Sequence, residues 1–347
     1  MATASTAAIV RPAQMTMDQL LSRSVLQNIN LTGKSQYTFR LVSGHLYRGL
    51  ELQFDVTYDT TTGTLNPHKA DLANIISRLQ VKSGNGQVFV DLSGQDLYDM
   101  FLYRGGLAGD NVALVGASAQ SGATARLTLF VPFVMEHSKQ PYDGLLETIT
   151  KDVDVQINWN DPTTQGVLFG TVTGLANVTA TLQVSSEEYS TTPAVAKYLL
   201  NTTCQRVLIG ADYPVGQTNN QFVIDKLPKN ANYMNITLMP RSTANNNVNP
   251  DAGVLDFTKQ MQVTSTANNT IYQQMVLRGV RGRTIQRRRN SNIADGLVDV
   301  PMTADGALSQ FIYSTNAGEL QMKVPAVAAG TAPTIRVVTE TFVPNQG

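Results

Sequence analysis

The sequence predicts an all-β chain of two tandem sheet domains, preceded by a short amphipathic arm. Three observations carry this expectation. Several stretches alternate apolar and polar residues at every step, as in Leu50, Leu52, Phe54 and Val56 against Glu51, Gln53 and Asp55. Val153, Val155, Ile157 and Trp159 alternate in the same way with Asp154, Gln156 and Asn158. A period of two marks a strand with one face on a core and the other in water, the habit of antiparallel sheets. At 347 residues the chain exceeds one ordinary sandwich and has room for two domains of about 150 residues, each with its own core. Each half also offers about seven or eight such strands around helical excursions, the number a sandwich or a double-sheet jelly roll requires.

Residues 1–30 are expected to be the arm. Thr16 to Gln19 has a capping-box pattern, and Met17, Leu20 and Leu21 share one helical face. So short a helix is marginal alone and needs a surface to lie on, either its own domain or a neighbouring subunit or lipid face. Residues 31–190 are expected to form the first sheet domain, with strands near 36–43, 48–58, 86–91, 111–116, 123–134, 152–159, 166–173 and 178–185. Two helices are expected to interrupt it: Asp71 to Leu79, from the spacing of Leu72, Ile75, Ile76 and Leu79, and Gly94 to Leu102, from Leu97, Met100 and Phe101. Pro132 cannot donate to a ladder and must stand at an edge, a bulge or a strand end.

Residues 191–347 are expected to form the second domain. Its strands lie near 206–210, 221–225, 233–239, 254–263, 297–300, 307–313, 320–324 and 335–342, with a helix over Asn268 to Arg278. The turn-rich stretch from Ser185 to Pro193 reads as the link between domains, and Thr243 to Pro250 as an exposed polar loop.

Composition narrows the function more than it names it. Formal net charge is zero and charged residues are 15% of the chain, low against about 25% in typical domains. Much of the surface must therefore be Asn, Gln, Ser and Thr, or be covered by neighbours. A general electrostatic footprint for nucleic acid is missing, and low net charge favours association. The single Cys204 excludes an intramolecular disulfide and reads as a small buried hydrophobe. The N-terminal stretch has no signal-peptide pattern, and no window reaches the roughly 18 apolar residues of a membrane-spanning helix. Asn177, Asn201 and Asn235 fit the glycosylation pattern, which an Asn- and Thr-rich composition explains more cheaply.

Constellations for chemistry are nearly absent. His45, His68 and His137 stand singly, without metal-ligand spacing. Asp152 and Asp154 share a strand face but read as solvated carboxylates, with no second acidic pair beside them. The glycines of Gly105 to Gly109 and of Gly279 to Gly282 lack nucleotide-fingerprint spacing. No catalytic residue, metal, cofactor or specific small molecule is expected. The one charge concentration is Arg278, Arg281, Arg283, Arg287, Arg288 and Arg289, six arginines in twelve residues with no acidic residue among them. Arginine forks match phosphate oxygens, so this run fits nucleic-acid phosphates or anionic lipid headgroups. It equally fits an arginine-rich loop that pairs with carboxylates of adjacent subunits.

Leu72 to Leu79 leading into Gly86 to Val90 and then Leu97 to Tyr103, and the apolar strand from Ala125 to Phe133, resemble segments of a known family. With the tandem eight-strand domains and the amphipathic arm, they resemble the double jelly-roll major capsid proteins of tailless, internal-membrane bacteriophages, the tectivirus- and corticovirus-like lineage. The resemblance implies two tandem eight-stranded jelly rolls and a structural, non-enzymatic role. It further implies a homotrimer of pseudo-hexagonal outline that tiles an icosahedral virion shell. Its partners would be neighbouring capsomers, vertex (penton) and minor capsid proteins and an internal membrane, with assembly in the host cytoplasm. The alternative is a carbohydrate- or receptor-binding tandem β-sandwich of a spike or adhesin. A jelly-roll glycoside hydrolase is a third reading, which would need Asp152 and Asp154 as converging carboxylates.

Overall fold

A computed structural model describes residues 21–33, 35–61, 71–104, 112, 114, 119–134, 144–164, 167–169, 174–190, 204–229, 231–242, 252–266, 271–288, 296–302, 312–313, 319–330 and 332–344. The first half contains strands β1 (Leu21–Asn30), β2 (Gln36–Arg40), β3 (His45–Thr60), β4 (Ile76–Ser83) and β5 (Val88–Leu92), then helix α1 (Gly94–Arg104). Strands β6 (Gln120–Pro132), β7 (Leu146–Glu147), β8 (Val153–Trp159) and β9 (Leu175–Ser190) follow. The second half contains β10 (Cys204–Pro214), β11 (Asn219–Ile224), β12 (Asn232–Arg241), β13 (Gln260–Ser265) and β14 (Ile271–Val276), then helix α2 (Leu277–Arg288). It closes with β15 (Val298–Pro301), β16 (Ile312–Tyr313), β17 (Leu320–Ala326) and β18 (Thr334–Pro344).

These strands form three sheets. The first runs β1-β9-β3-β6 with β7 beside β3, and the third runs β11-β17-β13-β14. Between them, a nine-stranded sheet runs β15-β12-β18-β10-β5-β4-β8-β2, with β16 beside β12. Without the two-residue strands β7 and β16, each half holds eight strands in one arrangement. In both, the first, eighth, third and sixth strands make one sheet and the second, seventh, fourth and fifth make the other. This is the jelly roll, two four-stranded antiparallel sheets face to face. The helices hold equivalent places, α1 and α2 each lying between the fifth and sixth strands of its roll.

Alternation builds each core. Val153, Val155, Ile157 and Trp159 of β8 are buried, as are Leu50, Leu52, Phe54, Val56 and Tyr58 of β3 in the opposing sheet. Each such side chain stabilises the fold by about 1.5–3 kcal/mol relative to exposure. The second core gathers Tyr233, Ile236 and Leu238 of β12 with Met261, Val263, Met322, Val324, Ile335 and Val337. Trp159 turns its ring into the first core and donates its indole N–H to the Leu31 carbonyl at 2.8 Å. Helix α1 starts with a reciprocal cap: Ser93 Oγ accepts from the Asp96 N–H at 3.1 Å, and Asp96 Oδ2 accepts from the Ser93 N–H at 2.9 Å. Gly94 is required there, because a Cβ would run into the Ala73 carbonyl oxygen. Among the described residues no helix is long and apolar enough to cross a membrane.

The structure corrects several expectations. Leu21 is not helical; it opens β1, which pairs antiparallel with β9 from Leu21↔Tyr189 to Asn30↔Thr181. The first roll thus begins inside the expected arm. Met17 and Leu20 lie outside the described residues. The helix expected over Asp71 to Leu79 is a short 3₁₀ turn, Asp71–Ile75, followed by β4 with a bulge between Ile76 and Arg78. Leu72, Ile75, Ile76 and Leu79 are all buried, so a tight turn and a bulge bring to the core the same residues a helix would. Over Asn268 to Arg278 the described part is strand β14, and the helix begins only at Leu277. Of the stretch 111–116, Val112 makes only an isolated bridge to Arg126. Of the expected strand 166–173 the described residues Val167, Leu168 and Phe169 are buried, the first two in a turn and bend and Phe169 in a bridge, and the others lie outside the described residues. Ser185 to Ser190, read as linker, continue β9. The region 254–263 divides into a 3₁₀ turn, Ala252–Val254, and β13. Pro132 is the last residue of β6, a permitted place, while Thr243 to Pro250 lie outside the described residues.

Candidate functional site: the inter-roll junction and the free sheet edges

The two rolls are joined through backbone. The fifth strand of the first roll, β5, pairs in parallel with the first strand of the second, β10, at Val90↔Leu208 and Asp91↔Ile209. Side chains cross the same boundary: Val207, Leu208, Met239 and Val338 belong to the first core. Helix α2 spans both, with Leu277 and Val280 in the second core and Ile285 against the first. Further along β10, the Gly144 N–H donates to the Cys204 carbonyl at 2.9 Å. Arg206 donates to the Val134 carbonyl at 2.8 Å and pairs with Glu340 at 2.6 Å. Cys204 is buried with Met234 and Phe342, as a small hydrophobe.

A buried ionic cluster fixes α1 of the first roll to the second. Asp96 accepts from Arg336 of β18 at 2.7 Å and from Arg241 of β12 at 2.9 Å. Arg241 stands 3.6 Å from Asp99, and Arg336 reaches Asp212 of β10 at 3.1 Å. Gly210 of β10 makes room for this, since a Cβ there would overlap the Arg336 guanidinium. Burial alone would raise the Asp96 carboxyl, but Arg241 and Arg336, with the Ser93 N–H, hold it down at about 2. Asp99 goes the other way: burial, reinforced by the neighbouring Asp96 charge, outweighs Arg241 and pushes it up to about 8.

This has a consequence for stability against pH. The folded chain keeps Asp99 protonated to about 8, whereas an unfolded aspartic acid ionises near pH 4. Between these values the folded state binds the extra proton, so the Asp99 contribution falls as pH rises, by up to about 1.4 kcal/mol per unit. Asp99→Asn removes that slope. Urea unfolding of variant and parent at pH 4.5 and pH 8 should show the variant gaining on the parent at the higher pH; a constant difference would refute the assignment.

The cluster was missed in the sequence, although signals exist. Ser93 and Asp96 have capping-box spacing, and Arg336 stands between the core residues Ile335 and Val337. A charge in an apolar strand asks for a buried partner. Of the residues the sequence did single out, Arg278, Arg281, Arg283, Arg287 and Arg288 lie on α2, a helix rather than a loop. Arg278 and Arg283 are exposed, Arg281 lies over the Phe257 ring at 5.6 Å, and Arg289 is outside the described residues. The buried side of this helix is anchored by Thr284, which donates to the Asp299 carbonyl of β15 at 3.1 Å. Arg40 holds Asp152 at 2.7 Å and Asp154 at 3.0 Å on an exposed strand face, a surface ion pair. His45 lies 3.7 Å from Glu188; His68 and His137 are outside the described residues. Asn235 is buried and donates to Asp299. Among the described residues no group of three or more His, Cys, Asp or Glu is placed to hold a metal ion.

Large apolar side chains are exposed at particular strands. Ile271, Tyr272 and Val276 of β14 are 51%, 37% and 41% exposed, and Val25 of β1 is 56% exposed. Strands β1 and β14 are terminal in their sheets.

No protein-family model matches the chain, and no curated protein matches it in sequence. Solved structures do match in fold. The crystal structure of the STIV MCP superposes with a TM-score of 0.71 at 10% identity, covering 93% of this chain and 97% of that one. A quasi-atomic model of the PBCV-1 virus capsid gives 0.62 at 9% identity over 93% of both chains. The major capsid protein P2 from Bacteriophage PM2 gives 0.55 at 12% identity, over 92% of this chain and 97% of that one. The likeness extends across these viruses and is not specific to the bacteriophage group that the sequence suggested. In strand order, in the paired helices and over nearly its whole length, this chain has the double jelly-roll fold that these capsid structures share.

Proposed function

We propose that the protein is a structural major capsid protein, a building block of an icosahedral virion shell rather than an enzyme. The observation that carries this is the joining of two topologically equivalent rolls into one body by the nine-stranded sheet and the buried Asp96, Arg241 and Arg336 cluster. Such a body presents two similar flat-sided units at a fixed relation, which is what a tile needs. In this reading the chain forms homotrimers of pseudo-hexagonal outline that meet neighbouring capsomers, vertex and minor capsid proteins. On the same reading the first roll runs to residue 190 and the second occupies residues 191–347, a division in keeping with β9 ending at Ser190 and β10 starting at Cys204. Met17 and Leu20 contact a neighbouring subunit or an internal membrane, and assembly takes place in the host cytoplasm. In this reading the six arginines from Arg278 to Arg289, five of them on α2, meet phosphate groups. Charge reversal at exposed Arg278 and Arg283 should then weaken sedimentation with anionic vesicles in low salt, with little change in melting temperature.

The spike or adhesin alternative loses its best sugar platform, because Trp159 is buried and its N–H is occupied by Leu31. Electron microscopy of concentrated protein tests the tile directly. Hexagonally packed arrays or closed shells support it, and dispersed single particles at all concentrations contradict it.

A further inference from the structure

We propose that copies of this chain join edge to edge, with β14 of one pairing in parallel with β1 of the next, as β5 pairs with β10 inside each chain. The inference rests on the trimer reading above and specifies its interface.

Within the chain, the contact between rolls is a fifth strand against a first strand, Val90↔Leu208 and Asp91↔Ile209, both in parallel. The two rolls have the same topology, so each strand in that junction has a counterpart. The counterpart of β5 is β14, the fifth strand of the second roll, and the counterpart of β10 is β1, the first strand of the first roll. Among the described residues β14 and β1 each have a ladder partner on one side only, β13 and β9 respectively. Among the described residues the chain therefore carries one internal fifth-to-first junction and the two unpaired halves of another. Repeating it between copies is a heterologous contact, which closes into a ring when the rotation permits and otherwise runs on.

The free edges suit this use. An exposed strand edge is a template for pairing, and proteins that keep edges apart place charges or prolines on them. Strand β14, Ile271–Val276, has neither, and β1, Leu21–Asn30, has a single charge, Arg23, which is paired with Glu187. Other edges are guarded: β15 ends in Pro301 and contains Asp299, β2 ends in Arg40, and β6 is covered by Val112. The edge strand β11 is also uncharged, so composition alone does not choose β14; the topological equivalence does. Exposed Val25, Ile271, Tyr272 and Val276 lie on the two strands the junction would cover.

Register follows from position. Val90 and Asp91 precede the start of α1 as Gln273 and Gln274 precede the start of α2, and Leu208 follows the start of β10 as Val25 follows the start of β1. The junction thus brings Val25 and Leu26 beside Gln273 and Gln274. Val25 stands opposite Gln273, so their side chains share a face of the sheet. Val25 is exposed and Gln273 half-buried, giving up on substitution its hydrogen bond to the Pro301 carbonyl, and directly paired strand residues hold their Cα atoms within the span of about 4.4–6.8 Å that a disulfide tolerates.

The test uses the full chain carrying Val25→Cys and Gln273→Cys together, with each single variant as control; Cys204 is buried and does not compete. Under mild oxidation the double variant should give covalent dimers and trimers on a denaturing gel, and a mixture of the two single variants should give dimers only. As a second readout, Val25→Lys should shift the assembly toward monomer at least tenfold in concentration while melting like the parent. A parent that is trimeric by light scattering, with no cross-linking above the single variants and an undiminished Val25→Lys trimer, overturns this junction and leaves the trimer reading standing. A monomeric parent overturns both.

Discussion

Replacing Asp96 with alanine should destabilise the protein by about 3–5 kcal/mol, the range for removing one partner of a buried ion pair. Asp96 is fully buried and accepts from both Arg241 and Arg336. Without it two guanidinium groups remain in the junction, one with Asp212 and one with the protonated Asp99 as neighbours. Since Asp96 lies in the first roll and the arginines in the second, the loss falls on the joint between rolls. Urea unfolding followed both by Trp159 fluorescence and by far-ultraviolet circular dichroism should separate into non-coincident transitions. The acid limb should change as well. A carboxyl held at about 2 contributes stability that is complete above the ordinary carboxylate range and is lost as pH falls through 2, and the variant lacks that loss. A cost below about 1 kcal/mol would place the cluster with surface ion pairs and remove it as the joint.

Trp159→Ala should cost about 3–5 kcal/mol, the usual range for truncating a large core aromatic. The indole fills the first core beside β2 and β4, and its N–H satisfies the Leu31 carbonyl that follows β1. Trp159→Phe separates the two contributions. It keeps most of the apolar volume and leaves the Leu31 carbonyl unpaired, a cost of about 1–3 kcal/mol. If alanine and phenylalanine are equally damaging in urea titrations, the hydrogen bond and not the packing holds this end of the roll.

Legibility followed the physics of each element. Strands β3, β6 and β8 were readable because one face meets the core and the other water, so their sequences alternate. Strand β12 was found through Met234, Ile236 and Leu238, yet it is buried on both faces; on its outer face Asn235 and Thr237 bond Asp299 of β15, and Arg241 serves the junction. Strand β14 hid for the opposite reason: it is largely exposed at a sheet edge, so no core imposes a period, and its apolar residues mimicked a helical face. In β4, a bulge breaks the alternation just after a 3₁₀ turn. Strand β1 was absorbed into the arm because its polar composition, from Ser22 to Asn30, gives little sign of a sheet; its register is set by β9. The number of strands per half was therefore legible while the membership was not. The inter-roll junction was the least legible part. It depends on a clamp whose three charges, Asp96, Arg241 and Arg336, are far apart in sequence, and only the folded chain makes them neighbours.

The most direct test of the building-block reading is the absolute mass of the purified protein by light scattering over a range of concentrations. A trimer near three times 37.6 kDa that does not vary with concentration is the expected result. A clean monomer throughout that range would contradict it.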